Sequence, residues 1–180
     1  KVLHYEICEW FPNKYSNPDP NYAAHCKVLT HGTVVNFGEL EQLMRDFQVL
    51  QVVIDAQPER RKSLEFCKRF HGIARACYYV RGNSGRVLMA PENEDHVVKV
   101  DRTAWLDVSL GRYKNRSISI PFDVDKEYRD HMKALVRVYK KTDNGPVGEY
   151  DKGKNAPDHY AHAHNYAEIA FRLLTGVDVN

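Results

Sequence analysis

Hydrophobic and polar positions follow two different periods along this chain. Residues 1–11, KVLHYEICEWF, alternate with a period of two, which predicts a β-strand. Residues 37–47 and 125–138 place apolar side chains three and four positions apart, which predicts amphipathic helices. Because strand and helix patterns follow one another, we expect one α/β domain over residues 1–180, with a mixed sheet flanked by helices.

Cap and turn signals add further elements to this pattern. Asn36 is placed to cap the helix over residues 37–47. Residues 26–35, CKVLTHGTVV, indicate a short strand around a glycine turn. Two strand-like runs flank the turn sequence DNG at 143–145, which predicts a β-hairpin over residues 136–152. The hairpin therefore precedes the last helix of the chain.

The most apolar stretch, residues 49–54 (VLQVVI), ends at Asp55. A run rich in β-branched residues predicts a strand that is buried on both faces of a helix-covered sheet. Ligands of open α/β sheets bind beyond the carboxyl ends of such strands. A carboxylate there is costly unless it is solvated, paired or bound to a metal. Asp55 is therefore either a ligand or a cap for the helix that begins near Glu59, and the strand pattern favours the two equally.

A second acidic candidate, Asp158, stands at the start of the last helix. Pro157 suits the first helical position, with Asn155 or Ala156 as the cap. An acid in the first turn also interacts favourably with the helix dipole. His162 follows Asp158 at the i+4 position, so that the two side chains share one face of the helix. They could therefore share one divalent cation.

The histidines of this helix do not form a single ligand set. His159 and His164 point away from the face of Asp158 and His162, and we expect them to be solvated or to pack against neighbours. A zinc hydrolase is not favoured, because catalytic zinc takes three protein ligands and no third is predictable. Oxygen ligands select Mg²⁺ or Mn²⁺, and an added imidazole shifts the preference towards Mn²⁺ or Zn²⁺. Carboxylates from distant elements are what two-metal hydrolysis of a phosphodiester requires.

Basic residues flank both candidate acids in the sequence. Arg60 and Arg61 follow the predicted buried strand, and Lys140, Lys141 and Lys152 lie around the predicted hairpin. Such clusters are usually solvated surfaces. They are also placed where contacts to the phosphate backbone of DNA would be needed.

Composition excludes several classes of protein. The chain has 180 residues, of which 43% are hydrophobic, which fits a globular domain. Its net charge of +2 does not by itself indicate a nucleic-acid binder. Its apolar runs are shorter than the roughly 18 residues of a membrane span. The motifs GxxxxGK[ST], GxGxxG and GxSxG are absent. The four cysteines lack CxxC spacing, which favours buried thiols over a structural zinc site.

Four stretches of the chain, taken in order, resemble the C-terminal nuclease domain of the large terminase subunit of tailed bacteriophages. They are VVIDAQPERRKSLEFCKRF, VKVDRTAWLDVSLGRYKNRSISIPF, EYRDHMKALVRVYKK with its glycine hairpin, and APDHYAHAHNYAEIAF. The resemblance covers residues 49–174. It implies an RNase H-like fold and a metal-dependent endonuclease, using two Mg²⁺ or Mn²⁺ ions, that cuts concatemeric double-stranded viral DNA during genome packaging.

The resemblance also implies roles for individual residues. The family's acid at the end of the central strand matches Asp55, and its acid at the start of a late helix matches Asp158. Some members place a histidine near the second acid, and His162 matches it.

The resemblance departs from the family at the first strand of the sheet. That strand carries the family's first metal-binding aspartate, and residues 1–11 hold no aspartate. Glu6 and Glu9 are the candidate replacements. We expect this chain to begin in the family's second strand, with the first strand and an ATPase motor upstream of Lys1.

The resemblance implies the partners and the location as well. The expected partners are double-stranded DNA, the portal protein and the small terminase subunit, and no membrane is involved. The expected location is the host cytoplasm and, transiently, the portal vertex of the procapsid. The isolated domain is expected to be monomeric. The alternative is an RNase H-like module that has lost catalysis, and that grips DNA or docks on the portal or small terminase.

Overall fold

The structure, a computed structural model, describes residues 2–14, 18–57, 59–81, 88–89, 96–143 and 145–176. Within these residues the chain is a mixed α/β protein, as the alternating patterns predict. Its helices are α1 (Phe37–Asp46), α2 (Arg60–Arg69), α3 (Arg102–Lys114), α4 (Lys126–Lys133) and α5 (His159–Thr175), with a 3₁₀ turn at Pro20–Tyr22. Its strands are β1 (Leu3–Pro12), β2 (Ala24–Val34), β3 (Val52–Asp55), β4 (Ala74–Val80), β5 (Leu88–Met89), β6 (Val97–Asp101), β7 (Ile118–Ser119), β8 (Leu135–Thr142) and β9 (Gly145–Lys152).

The described strands form three sheets. The first has the order β1-β2-β7, with β1 and β2 antiparallel and β7 parallel to β2. The second has the order β3-β4-β6-β5, in which β3, β4 and β6 are parallel and β5 is antiparallel to β6. The third is the hairpin β8-β9. Among the described residues, β1 and β3 each pair along one edge only, which leaves a free edge on each of the two larger sheets.

Helices cover both faces of the parallel sheet. On one face, Val53 of β3 and Val98 of β6 pack against Trp105 of α3 and Ile169 of α5. On the other face, apolar side chains of β3 and β4 pack against α1 and α2, with Phe66 of α2 almost fully buried. Helix α5 also contacts β1, so it connects the two larger sheets. Among the described helices, none is both long and apolar enough to cross a bilayer.

Strand β3 is shorter than the predicted strand over residues 49–54. The backbone N–H of Val49 donates to Met44 O at 2.9 Å and so belongs to the end of α1, and pairing begins at Val52. Both faces of β3 are packed as predicted, because Val53 contacts one core cluster while Val52 and Ile54 contact the other. One edge of the strand nevertheless remains open.

The glycine turn predicted within residues 26–35 is wrong. Strand β2 runs without interruption through Gly32, which pairs with Tyr5 of β1. A side chain at position 32 would come within 2.9 Å of the Tyr5 hydroxyl oxygen, so the glycine permits a close ring contact rather than a turn. By contrast, the Asn36 cap is confirmed, with Asn36 Oδ1 accepting from the Glu39 N–H at 3.0 Å.

The helix predicted over residues 125–138 ends earlier, at Lys133. Leu135 pairs with Lys152 of β9, and the strand pairing that starts there takes the backbone groups that a longer helix would use. The hairpin itself is confirmed. Asn144, at the centre of its predicted turn, lies outside the described residues.

Candidate functional site at the start of helix α5

A cleft of ≈ 1800 Å³ lies between the free edges of the two larger sheets. It runs along all of β3 and most of β1, with α5 on one wall and α1 on the opposite wall. Most of its lining is apolar. Ionisable side chains collect where β3 ends and α5 begins, and they are Asp55, Glu59, Lys62, Arg102, Lys152, Asp158 and His162. This end of the cleft is the candidate functional site.

Asp158 occupies the N-cap position of α5 rather than the first turn, so the prediction of Asn155 or Ala156 as the cap is wrong. Its side chain makes no capping hydrogen bond. Instead, Oδ1 accepts a hydrogen bond from Lys152 Nζ at 2.8 Å, and Oδ2 lies 3.3 Å from His162 Nε2. The residue is only 6% exposed. The side chain therefore contacts Lys152 and His162 instead of capping the helix.

The electrostatic surroundings keep Asp158 ionised. Burial by itself would raise the pKa of its carboxyl group. The contacts with His162 and Lys152 outweigh burial and hold that pKa well below its usual range. Asp158 is thus a carboxylate at any pH near neutrality, which is the form that binds a metal ion.

A chain of hydrogen bonds orients His162. Ser109 Oγ donates to Asn165 Oδ1 at 2.9 Å, and Asn165 Nδ2 donates to the Tyr79 hydroxyl at 3.0 Å. That hydroxyl lies 3.0 Å from His162 Nδ1. One hydrogen is shared between the Tyr79 hydroxyl and Nδ1, and the histidine tautomer decides which of them donates it. Only the tautomer with the hydrogen on Nδ1 leaves Nε2 a lone pair for a metal ion. The network therefore directs His162 Nε2 towards Asp158, as neighbouring groups commonly orient metal-ligating histidines.

Asp55 closes β3 at the same end of the cleft. Burial raises the pKa of its carboxyl group, while the Gln57 amide and the charge of His162 oppose that rise. Asp55 Oδ1 accepts from the Gln57 N–H at 2.8 Å. The alternative role as a cap of α2 is wrong, because Glu59 holds the N-cap position and no side chain caps this helix. The Tyr166 hydroxyl lies near the Asp55 carboxyl without completing a hydrogen bond.

Arg102 is the functional-site residue that sequence reasoning missed. It opens α3, donates from Nη1 to Tyr150 O at 2.8 Å, and places Nη2 3.5 Å from His162 Nε2. No local sequence pattern identifies Arg102 as a site residue, because its contacts are with β9 and α5, which are distant in the sequence. Lys152, noted only as part of a basic cluster, proves to be the direct partner of Asp158.

The four residues predicted to contact DNA lie outside the cleft. Arg60 Nε donates to the Tyr78 hydroxyl at 2.9 Å, and Arg61 lies near an acid of its own helix. Lys140 pairs with an acid across the hairpin, and Lys141 is exposed. None of the four borders the cleft, whose described lysine and arginine side chains are Lys62, Arg102 and Lys152.

Neither glutamate of β1 is available as a third ligand. Glu6 is enclosed in the core, where His164 Nδ1 lies 2.6 Å from Oε1 and the Tyr128 hydroxyl donates to Oε2 at 2.9 Å. Glu9 lies 3.4 Å from Lys27 Nζ on the neighbouring strand. Asp55, Glu59 and Asp158 are the other described acids that line the cleft. The described groups of three ligand-type side chains whose ligand atoms lie within 4.8 Å of one another do not include Asp55, Asp158 and His162 together. The structure thus brings the two predicted acids to one cleft without bringing them together as a compact ligand set.

Comparison with protein-family models, with curated proteins and with solved structures gave no match to this chain. A functional proposal therefore depends on the geometry and electrostatics of the cleft, together with the motifs in the sequence.

Proposed function

We propose that this chain is a metal-dependent endonuclease that cuts double-stranded DNA, with an RNase H-like fold similar to that of phage terminase nuclease domains. One observation carries the proposal. Asp55 and Asp158, far apart in sequence, border one cleft, and His162 Nε2 lies 3.3 Å from Asp158 Oδ2. Two carboxylates from distant elements around an open cleft fit metal-assisted hydrolysis of a phosphodiester.

The residues of the cleft would have different roles in such a reaction. A bound Mg²⁺ or Mn²⁺ ion supplies a Lewis acid for water activation and for the developing charge on the leaving oxygen. Asp55 and Asp158 would hold the ion, and His162 would assist in the orientation that Tyr79 gives it. Lys152 and Arg102 place positive charge beside the carboxylates, where a phosphate group of DNA would lie.

The RNase H-like architecture is supported by the shape of the cleft. The facing edges of β1 and β3 are unpaired among the described residues, and α1 and α5 wall the space between them as they would cover a continuous sheet. We propose that the family's first strand and its metal-binding aspartate belong in this cleft.

The nuclease proposal is tested by plasmid nicking in Mn²⁺. We expect Asp55→Asn and Asp158→Asn each to slow nicking by at least about tenfold, since even outer-shell changes commonly cost that much. Asp123→Asn is the matched control, because Asp123 is an exposed acid away from the cleft. Nicking by the two cleft variants at the rate of the control would refute the assignment of these acids.

A second candidate function is a module that grips DNA or docks on the portal or small terminase subunit without cutting. It is favoured by the ligand geometry, because the described groups of ligand atoms that lie within 4.8 Å of one another do not include Asp55, Asp158 and His162. Two-metal hydrolysis holds its ions between converging ligands. Binding of those proteins in the presence of a chelator, without DNA affinity at low salt, would support docking. Under either proposal, the isolated domain is a monomer, and the protein acts in the host cytoplasm and at the portal vertex.

A further inference from the structure

A second group of metal-ligating side chains lies where β1 meets helix α4. His4, Glu127 and His131 each bring one ligand atom within 4.8 Å of the others. Glu127 Oε1 lies 3.6 Å from His4 Nε2 and 3.8 Å from His131 Nε2. Glu127 and His131 stand at i and i+4 on one helix face, while His4 comes from a strand. Three ligands thus converge from two separate elements.

The imidazole of His131 is buried without a hydrogen bond in the described part of the chain. Its side chain is 3% exposed, and Nδ1 has no hydrogen-bond partner there. The 3.8 Å between Nε2 and Glu127 Oε1 is too long for a hydrogen bond. Since buried polar groups are nearly always bonded, this ring has binding capacity that the described side chains leave unused.

The separations of the ligand atoms suit a small tetrahedral ion. With metal–ligand bonds of the length found at zinc, neighbouring ligand atoms lie about 3.3–3.4 Å apart. The observed 3.6 and 3.8 Å would need to shorten by only a few tenths of an ångström. Glu127, whose side chain is 57% exposed, leaves the site open for entry of an ion from solvent.

Burial favours the neutral form of both histidines. It lowers the pKa of His4, and the neighbouring His159 and His131 lower it further. Burial also lowers the pKa of His131, outweighing the opposing effect of Glu127. Both directions agree with the ligand geometry, because a neutral imidazole keeps a lone pair on one nitrogen. His159 stacks on His4 with ring centroids 4.4 Å apart and stands beside the site.

We propose that His4, Glu127 and His131 bind a divalent transition-metal ion of the Zn²⁺ class, with water or His159 at the fourth position. Such an ion ties α4 to β1 next to the start of α5. The site uses none of the residues proposed to hold the nuclease ion, and its borderline-soft imidazole ligands favour Zn²⁺, Co²⁺ or Ni²⁺ over Mg²⁺.

The other compact group of ligand-type side chains found among the described residues does not support a similar proposal. Cys8, Cys26 and His164 also lie within 4.8 Å of one another. However, His164 uses both ring nitrogens, with Nδ1 2.6 Å from Glu6 and Nε2 3.2 Å from Ser109 O. The pKa of the Cys8 thiol is raised well above its usual value by its contact with Cys26 and by burial. This cluster is therefore satisfied internally.

The proposal is tested by titrating the purified chain with Zn²⁺ or Co²⁺. Calorimetry measures binding of either ion, and the visible absorption of tetrahedral Co²⁺ reports its coordination. We expect one equivalent to bind at this site in Asp55→Asn, in which the proposed nuclease site is weakened, and Glu127→Gln and His131→Gln to weaken that binding by at least about tenfold. His25→Gln, which alters an exposed histidine elsewhere, should bind like the parent. Asp55→Asn should also bind normally, which separates this site from the nuclease ion.

Three results would overturn the proposal. They are no binding by the parent chain, undiminished binding by Glu127→Gln, and loss of binding in Asp55→Asn. Circular dichroism identifies any loss of fold in His131→Gln. Glu127→Gln stays decisive even then, because it changes an exposed side chain.

Discussion

His162 and His164 stand two residues apart on helix α5 and enter opposite environments. His162 is 20% exposed, borders the cleft and faces Asp158. His164 is fully buried and pairs with Glu6. Burial by itself would lower the pKa of His164, but the Glu6 carboxylate outweighs it and raises that pKa to about 9. The same pairing of imidazole and carboxylate thus forms part of an open site at one face of α5 and a closed core contact at the other.

The buried face of α5 carries a second ionic network. Glu168 accepts from Arg112 Nη2 at 2.9 Å and from Arg172 Nε at 3.1 Å, and all three side chains are essentially excluded from solvent. Arg112 also donates to Ala24 O at 2.7 Å, which joins α3 to the first sheet. Every charge here has a buried partner, whereas Asp158 at the cleft pairs with Lys152, whose side chain is 44% exposed and can exchange partners with a ligand. Accessibility, rather than the type of ion pair, distinguishes a candidate functional contact from a structural one.

The largest expected effect comes from breaking the buried network. Glu168→Gln leaves Arg112 and Arg172 charged and unpaired in the core, and we expect the free energy of unfolding to fall by about 3–5 kcal/mol. Urea denaturation measures the change. Glu65→Gln, which affects only an exposed pair, should alter stability by less than about 1 kcal/mol. Equal effects of the two variants would contradict the contrast between buried and accessible pairs.

The pH dependence of stability tests the His164 pair. Because the folded pKa of about 9 exceeds the ordinary value of 6.5, the pair's contribution is fully present below pH 6.5 and is lost as pH rises through 9. The loss would be on the order of 3 kcal/mol, since each pKa unit corresponds to about 1.4 kcal/mol. Urea unfolding of the parent and of His164→Gln at pH 6, 7.5 and 9 would measure it. Stability that falls equally in both proteins would assign the pH dependence to other groups.

The smallest effect on stability is expected at the cleft. Lys152→Gln removes a partly exposed partner of Asp158, so the free energy of unfolding should change by no more than about 1 kcal/mol. Because the change frees an Asp158 oxygen, binding of Mn²⁺ should become tighter. Lys154→Gln, at an exposed lysine nearby, is the control for the change of net charge. Weaker Mn²⁺ binding in Lys152→Gln would show that the lysine supports the site instead of competing with the ion.

Local sequence patterns predicted the main elements of this fold. Apolar periodicity gave α1, α5 and the alternating β1, and cap and turn signals gave the Asn36 helix start and the hairpin. These signals succeed because they describe which face of an element is buried and which backbone groups need a partner. The shared face of Asp158 and His162 follows from the same rule, since it depends only on a spacing of four residues in a helix.

The ends of several elements depended on tertiary contacts. Strand β2 continues through Gly32 because β1 pairs with it there, and α4 ends at Lys133 because the strand from Leu135 pairs with β9. Intrinsic preference at these positions was overridden by partners that no local pattern identifies.

The sequence by itself determined that this is an α/β chain with acids at the end of an apolar strand and at the start of a helix. Only the tertiary structure brought Asp55 to the same cleft as Asp158, placed Arg102 beside His162, and enclosed Glu6 with His164 from the far end of the chain. Periodicity states that a face is buried, but it does not state against what. The partner of a charged side chain decides whether it stabilises the core or remains open to a ligand, and that partner is fixed by long-range packing.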